Sequence, residues 1–221
     1  MRLSVRAMNA WQRWLDKMRS RTPRDYSGVC PRCFLKLGSC LCSELPRIDS
    51  NIEVVIVRHI KEDWLTSNTG RLAALILTNA RIVRYGSEEP FDDSLLCGDG
   101  TWLLYPGPHQ IPEQTLPRRF VVLDGTFRQA RRMYKKISAL RGLPELSLSA
   151  PSQQPPRLRN PPRVDGLSTI EAIATVLGRF ESPAIAEQLL AAHAEFVRRA
   201  DATRGRQRQH LTASVHFLAD H

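Results

Sequence analysis

The sequence lacks any long apolar run, and this limits where the protein can be located. Its longest uninterrupted apolar segment, residues 72–77, is far too short to span a bilayer. No secretory leader is predicted either, because Arg2, Arg6 and Arg13 interrupt the apolar residues that follow the first Met. We therefore expect a cytoplasmic protein without stable membrane association, whose cysteines are reduced or bound to metal.

Acidic residues are scarce relative to basic ones, and this imbalance favours a polyanionic partner. The chain has 22 Asp and Glu against 32 Lys and Arg, which gives a net charge of +10. Arg outnumbers Lys, and the planar guanidinium suits phosphate recognition. A solvated basic surface is the alternative explanation of the charge alone. At 221 residues the chain suits one domain with appendages and needs no disulfides to fold.

Four of the five cysteines are clustered within thirteen residues, namely Cys30, Cys33, Cys40 and Cys42. Thiolates so close together suit a tetrahedral zinc site that protein ligands close completely, and such a site is structural. The alternative is a set of reduced or partly oxidised thiols on a flexible knuckle. We interpret the fifth cysteine, Cys97, as a small buried hydrophobe rather than a nucleophile.

Strand patterns alternate with helix patterns along the chain. Apolar runs predict strands over residues 52–57, 81–85, 101–105, 120–123 and 145–149. Helices are predicted over residues 72–77, after Phe127, from a capping box at Ser168 to about Gly178, and from Ser182-Pro183 to about Ala202. This alternation predicts an α/β fold with a mostly parallel sheet and helices on both faces.

Residues 124–127, Asp-Gly-Thr-Phe, are the most informative segment, because they join a buried-strand pattern to a basic helix. Ligands of open α/β sheets bind outside the carboxyl ends of the strands, and a helix N-terminus there attracts anions. Asp124 could act as a general base or orient a substrate, or could only start the turn or cap the helix. Phe127 could form a flat apolar wall of a pocket or pack in the core.

The cations after Phe127 recur every three or four residues, so they share one helical face: Arg128, Arg131, Arg132 and Lys135. With the aromatic ring they form a plausible RNA patch, where phosphates position the RNA and an extruded base enters the pocket. A solvated face is the alternative. His59 and Asn68 follow the first strand and precede the first helix, and each also has a structural explanation.

In order and number, these motifs resemble those of the DTW-domain family, named for an Asp-x-Thr-Trp motif. The matching pieces are the four clustered cysteines, His59, residues 68–72 (Asn-Thr-Gly-Arg-Leu), Tyr105-Pro106, residues 123–126 with 129–131, and residues 167–172 (Leu-Ser-Thr-Ile-Glu-Ala). Two pieces depart from the family pattern. Phe127 replaces the Trp, and residues 155–159 (Pro-Pro-Arg-Leu-Arg) replace a Ser-x-Tyr-x-Leu-Arg-like stretch.

The resemblance implies a SPOUT-like fold with a deep trefoil knot near the cofactor. It implies transfer of the 3-amino-3-carboxypropyl group of S-adenosylmethionine to the imide nitrogen of a tRNA uridine, with release of methylthioadenosine. Asp124 is the predicted catalytic residue, which assists deprotonation of the imide or holds the ammonium of the transferred arm. Cofactor contacts are expected from Leu104, Tyr105, Pro106, Leu123, Thr126, Phe127, Ser168 and Thr169. Contacts with tRNA are expected from Arg128, Arg131, Arg132, Lys135, His59 and Asn68.

Four regions are predicted along the chain. They are a basic N-terminal extension over residues 1–26, a zinc-binding knuckle over 27–46, the catalytic domain over 50–203, and a basic tail over 204–221. Two other functions remain open at this point. One is an RNA methyltransferase that uses the same cofactor, and the other is a non-catalytic zinc-knuckle RNA-binding protein, an option that Phe127 in place of Trp keeps open.

Overall fold

A computed structural model describes residues 27–87, 90–106, 116–148, 157–158 and 166–203. The N-terminal extension, most of the proline-rich segment 151–162 and the C-terminal tail lie outside the described residues, as do the predictions made for them. The described part of the chain forms a five-stranded sheet and four α-helices. No helix in this part is long and apolar enough to cross a membrane.

The strands are β1 (Glu53–His59), β2 (Ala80–Tyr85), β3 (Thr101–Leu104), β4 (Arg119–Asp124) and β5 (Glu145–Leu146). The helices are α1 (Thr69–Ile76), α2 (Phe127–Lys136), α3 (Thr169–Phe180) and α4 (Pro183–Thr203). Each predicted strand and helix is present, with ends displaced by a few residues. The largest difference is β5, which is shorter than predicted because its two residues pair only with β3 at the sheet edge.

All strand pairs of the sheet are parallel, in the order β2-β1-β4-β3-β5. The predicted α/β fold with a parallel sheet is therefore confirmed. Parallel pairing brings the carboxyl ends of all five strands to one edge of the sheet, where ligands bind in such folds. The knotted, SPOUT-like arrangement stays a prediction, because the connections from β3 to β4 and from β5 to α3 lie partly outside the described residues.

Alternating side chains of the central strands form two separate cores, one on each face of the sheet. Val54 and Ile56 of β1 belong to the larger core, with α1, α3 and α4. Val55 and Val57 belong to the smaller one, together with Met133 of α2. Helices therefore cover both faces, as the sequence predicts.

The cysteine knuckle packs onto the larger core rather than standing apart from it. Cys30, Cys33 and Leu35 are buried members of the same cluster as the strand residues. Arg199 of α4 donates a hydrogen bond to the carbonyl oxygen of Cys40 at 2.9 Å and forms an ion pair with Glu44 at 2.6 Å. Stability of the knuckle is therefore coupled to stability of the sheet domain.

Candidate active site

A cavity of about 820 Å³ opens at the carboxyl ends of β3, β4 and β5, where the N-termini of α1, α2 and α3 meet. Its volume is within the range of small-molecule sites. The predicted site residues that line it are Asn68, Leu104, Tyr105, Pro106, Leu123, Asp124, Thr126, Phe127, Arg128, Ser168 and Thr169. Four predicted RNA contacts lie outside the lining, namely His59, Arg131, Arg132 and Lys135.

Asp124 is 3% exposed and joins three elements through its two carboxylate oxygens. Oδ2 accepts hydrogen bonds from Arg58 Nε at 2.9 Å and from Asn68 Nδ2 at 2.7 Å. Oδ1 accepts one from Thr169 Oγ1 at 2.8 Å. The carboxylate does not cap α2, because the side chain of Thr126 accepts that hydrogen bond instead. Asp124 thus fixes the starts of α1 and α3 relative to the sheet.

Arg58 is a buried partner of Asp124 that the sequence analysis missed. The two residues are directly opposite each other in the parallel register of β1 and β4, and both side chains are on the face of α1 and α3. Arg58 also lies 3.6 Å from a carboxylate oxygen of Asp63, which pairs with Arg84 at 3.0 Å. The sequence feature that could have indicated this role is the position of Arg58, directly after the mostly apolar strand pattern of residues 52–57.

The first turn of α1 packs directly against the Asp124 carboxylate. A Cβ atom at Gly70 would lie 2.7 Å from Asp124 Oδ2, so glycine is required by this close approach. Asn68 serves two elements at once, since its Oδ1 accepts from Arg71 N at 2.9 Å while its Nδ2 donates to Asp124. The predicted segment 68–72 is therefore adjacent to the predicted catalytic residue.

The turn into α2 presents an aromatic ring at the cavity. Thr126 and Gln129 form a capping box, with Thr126 N donating to Gln129 Oε1 at 2.6 Å. This places Phe127 at the first helical position, where it is 47% exposed and lines the cavity. Phe127 is therefore not a core residue. Gly125 packs closely against the same helix, because a Cβ there would lie 3.1 Å from Gln129 Cβ.

Tyr105 forms one wall of the cavity and is held by stacking. Its ring lies 4.1 Å from that of Tyr134 on α2, at an interplanar angle of 6°. The Tyr134 hydroxyl donates to Glu145 Oε1 at 2.5 Å, which links α2 to β5. Burial raises the pKa of Tyr105, so its hydroxyl stays protonated at neutral pH. This wall therefore presents an aromatic ring to the cavity, and the protonated Tyr105 hydroxyl is its polar group.

The basic face of α2 flanks the cavity and is exposed. Arg128, Arg131, Arg132 and Lys135 are all exposed, and no ion pair within the described residues involves them. Arg131 and Arg132 are close enough to two of the predicted site residues, Tyr105 and His59, to influence their titration. Arg131 acts on the pKa of Tyr105, whereas burial, Lys61 and Arg132 lower the pKa of His59.

Arg157, which belongs to a second buried ion pair, and the buried His193 line the cavity near α3, and the sequence analysis predicted neither. Arg157 Nε lies 2.8 Å from Glu171 Oε1, while Ser168 N donates to Glu171 Oε2 at 2.6 Å. The capping box of Ser168 and Glu171 is thus confirmed, and its carboxylate also pairs with Arg157. His193 of α4 is 1% exposed. Only tertiary packing brings these residues together.

The four clustered cysteines have the geometry of a tetrahedral metal site. Their Sγ atoms all lie within 4.8 Å of one another, with 3.7 Å between Cys30 and Cys42 and 3.9 Å between Cys33 and Cys40. Zinc–sulfur bonds of about 2.3 Å in a tetrahedron place the sulfurs about 3.8 Å apart. The four thiols therefore suit zinc. Cys97 is exposed, so its prediction as a buried hydrophobe was wrong; it follows a short 3₁₀ helix, Asp93–Leu96, and belongs to neither hydrophobic core.

The family model of the DTW domain matches residues 27–201, which include the cysteine cluster, the sheet and the residues named above at the cavity. The chain belongs to the DTW-domain family. Because the match extends from the knuckle to α4, the family resemblance is confirmed over most of the chain. Asp124 and its partners lie within the residues that the family model matches.

Relatives of this DTW-domain chain include proteins named tRNA-uridine aminocarboxypropyltransferase 2. The Drosophila melanogaster protein is 28% identical over 184 residues, which cover 76% of this chain and 73% of the relative. The Mus musculus protein is 30% identical over 170 residues, covering 69% and 56%, and the Macaca fascicularis protein is 27% identical over 167 residues with the same coverage. This chain thus spans just over half the length of these two mammalian relatives. No solved structure matches it.

Proposed function

We propose that this protein transfers the 3-amino-3-carboxypropyl group of S-adenosylmethionine to the imide nitrogen of a uridine in tRNA. The observation that supports this most is the cavity of about 820 Å³, which brings eleven of the predicted site residues together beside an exposed basic helix. The names of the relatives point to the same reaction.

The cofactor contacts in this proposal come from three segments around the cavity. Leu104 ends β3 and is followed by Tyr105 and Pro106, while Leu123 lies in β4 and Thr126 and Phe127 come after it. Ser168 and Thr169 lie at the start of α3. Apolar and aromatic walls suit an adenine ring, while the polar helix starts suit the amino-acid end of the donor. Phe127 retains the flat aromatic face of the family Trp without its indole N–H.

The proposed transfer forms one N–C bond and breaks an N–H and a C–S bond. The uridine imide gives its proton to solvent water, and the nitrogen uses the freed electron pair to bond the donor carbon that is attached to sulfur. The carbon–sulfur bond breaks, its electron pair neutralises the sulfonium, and methylthioadenosine leaves. Placement of the aminocarboxypropyl arm toward the RNA selects this carbon over the methyl group.

Asp124 acts in this proposal mainly as a positioning residue. Its oxygens already accept three hydrogen bonds, and its charge is paired with Arg58. A carboxylate so occupied is a poor acceptor for a substrate proton, but it holds Asn68 and Thr169 at the cavity wall with fixed geometry. The occupied oxygens argue against both roles that the resemblance implies, proton abstraction and binding of the donor ammonium, and favour orientation of the substrate through Asn68 and Thr169.

The tRNA contacts in this proposal are the exposed cations of α2, of which Arg128 lines the cavity, together with Asn68 in the cavity wall and His59 outside it. Phosphates would bind the cations, and the target base would leave its stack to pass Phe127 into the cavity.

The four cysteines hold a structural zinc ion, and cytoplasmic location agrees with their free thiols.

The test is the nucleoside composition of tRNA from cells that lack this protein. Mass spectrometry of digested tRNA should show loss of an aminocarboxypropylated uridine and its return when the wild-type gene is restored. Restoration with Asp124→Asn supplies the matched control, and it should not return the modified nucleoside. Loss of a methylated nucleoside instead would contradict the transfer and indicate an RNA methyltransferase.

A further inference from the structure

One part of the cavity wall, formed by His193 on α4 and by Arg157, has no role in the transfer as described above. It adjoins the N-terminus of α3, where Ser168 and Thr169 contact the donor in the proposed function. The His193 side chain is buried within the fold, and its Nδ1 atom has no hydrogen-bond partner in the described part of the chain. Buried polar atoms are normally paired, so an unpaired one at a cavity wall indicates contact with a ligand.

The charges around His193 favour an anionic group in that ligand. Asp124 in the cavity wall and Glu171 close to His193 are each paired with a buried arginine and accept further hydrogen bonds. Their charge and most of their hydrogen-bonding capacity are therefore already used, and they would bind a cationic ligand group weakly. The N-terminus of α3 adds positive potential on the same side.

His193 is uncharged at neutral pH and can donate a single N–H to such a group. Burial lowers the pKa of His193 to about 4, with Glu171 raising and Arg157 lowering it by smaller amounts. A neutral imidazole beside Arg157 suits one carboxylate. A polyanionic RNA backbone would not reach a side chain that is buried between α3 and α4.

We propose that His193, with Arg157 and the N-terminus of α3, binds the α-carboxylate of the aminocarboxypropyl group of the donor. This proposal rests on the proposed function and names the part of the donor that His193 selects. Holding the carboxylate fixes the far end of the arm, so that the carbon attached to sulfur faces the incoming uridine nitrogen. His193 thereby becomes a specificity-determining residue for this donor.

Calorimetric binding of three adenosyl ligands tests the proposal without measuring turnover. They are S-adenosylmethionine, its decarboxylated analogue, which lacks only the carboxylate, and methylthioadenosine, which lacks the whole arm. The wild-type protein should bind S-adenosylmethionine at least tenfold more tightly than the decarboxylated analogue, as expected for a charge-assisted hydrogen bond.

Two substitutions separate this role from a packing role. His193→Leu should weaken S-adenosylmethionine about tenfold and leave the decarboxylated analogue unchanged, while His193→Asn, which keeps a polar group near Nδ1, should retain most of the difference. Equal loss for both ligands in His193→Leu, or equal wild-type affinities for both, would overturn the proposal. If the wild-type protein binds none of the three ligands, the proposed function itself fails.

Discussion

At the scale of single residues, Asp124 and Arg58 form the contact on which the site depends. Both are buried, and removing the charge of one leaves the other uncompensated. Asp124→Asn should therefore lower the free energy of unfolding by about 3 kcal/mol, the usual cost of breaking a buried ion pair. Urea titration measures this loss against the wild-type protein.

The same variant should lower turnover by about a hundredfold, and Arg58→Gln separates two explanations of that loss. Arg58 is not part of the cavity lining. If Asp124 positions Asn68 and Thr169, Arg58→Gln should slow turnover to a similar extent. Full activity in Arg58→Gln with an inactive Asp124→Asn would mean that the carboxylate acts on the substrate directly.

His193 makes a second prediction at this scale, which concerns acid stability. Its pKa is lowered by burial to about 4 in the folded protein, from about 6.5 in an unfolded chain. Between these values the unfolded state binds more protons, so stability falls as pH falls from 6.5 to 4, by on the order of 3 kcal/mol. His193→Leu should lose this component. Identical pH dependence of unfolding in the two proteins would contradict the assignment.

At the scale of elements, α2 is the part of the site that is accessible to RNA. Removing two of its exposed cations with Arg131→Gln and Arg132→Gln should weaken tRNA binding. It should also reduce the slope of log affinity against log salt by about 2, roughly one unit per lost phosphate contact. The effect should be similar for different tRNAs, because phosphates contain no sequence information.

The matched control removes two other exposed arginines, Arg141→Gln and Arg179→Gln. Arg141 follows the C-terminal end of α2, and Arg179 lies at the C-terminal end of α3, whereas both helices begin at the cavity. These substitutions change the net charge equally. A salt slope that drops by the same amount in both double variants would show that α2 is only a solvated basic face.

The elements themselves were predictable because they depend on local sequence. Periodicity located every strand and helix within a few residues, and Ser168-x-x-Glu171 predicted the start of α3. Thr126-x-x-Gln129 has the same capping-box spacing before α2, but the sequence analysis considered Asp124 for that cap. Whether Asp124 or Thr126 caps α2 depends on the local backbone geometry, and the sequence pattern does not contain that geometry.

At the scale of the whole molecule, contacts between distant segments were not predictable. Arg58 and Asp124 are separated by 66 positions, and their pairing depends on the register of β1 against β4. His193 of α4 lies at the cavity because α3 and α4 pack side by side, and Arg157 lies there paired with Glu171 of α3. Hydrophobic periodicity identifies which faces are buried, but not which buried polar groups become partners.

Metal removal tests how the knuckle contributes to this larger fold. Cys30 and Cys33 are in the core that also contains the sheet, so chelation should destabilise the whole domain. We expect the midpoint of thermal unfolding to fall by about 10 °C, corresponding to ~3 kcal/mol for a chain of this size. Elemental analysis should find one zinc per chain. The Cys97→Ser variant should contain the same amount, because Cys97 is not one of the four clustered cysteines. Absence of stoichiometric metal, with all four thiols freely titratable, would contradict the site.

The central claim is the reaction, and the co-product of the donor tests it most directly. Purified protein, S-adenosylmethionine and unmodified tRNA should release methylthioadenosine, in amounts equal to the aminocarboxypropyl groups gained by the tRNA. Chromatography separates this co-product from S-adenosylhomocysteine. Methylthioadenosine that is released only when tRNA is present would support the account. Release of S-adenosylhomocysteine with methylated tRNA would contradict it, and so would tight tRNA binding with no co-product.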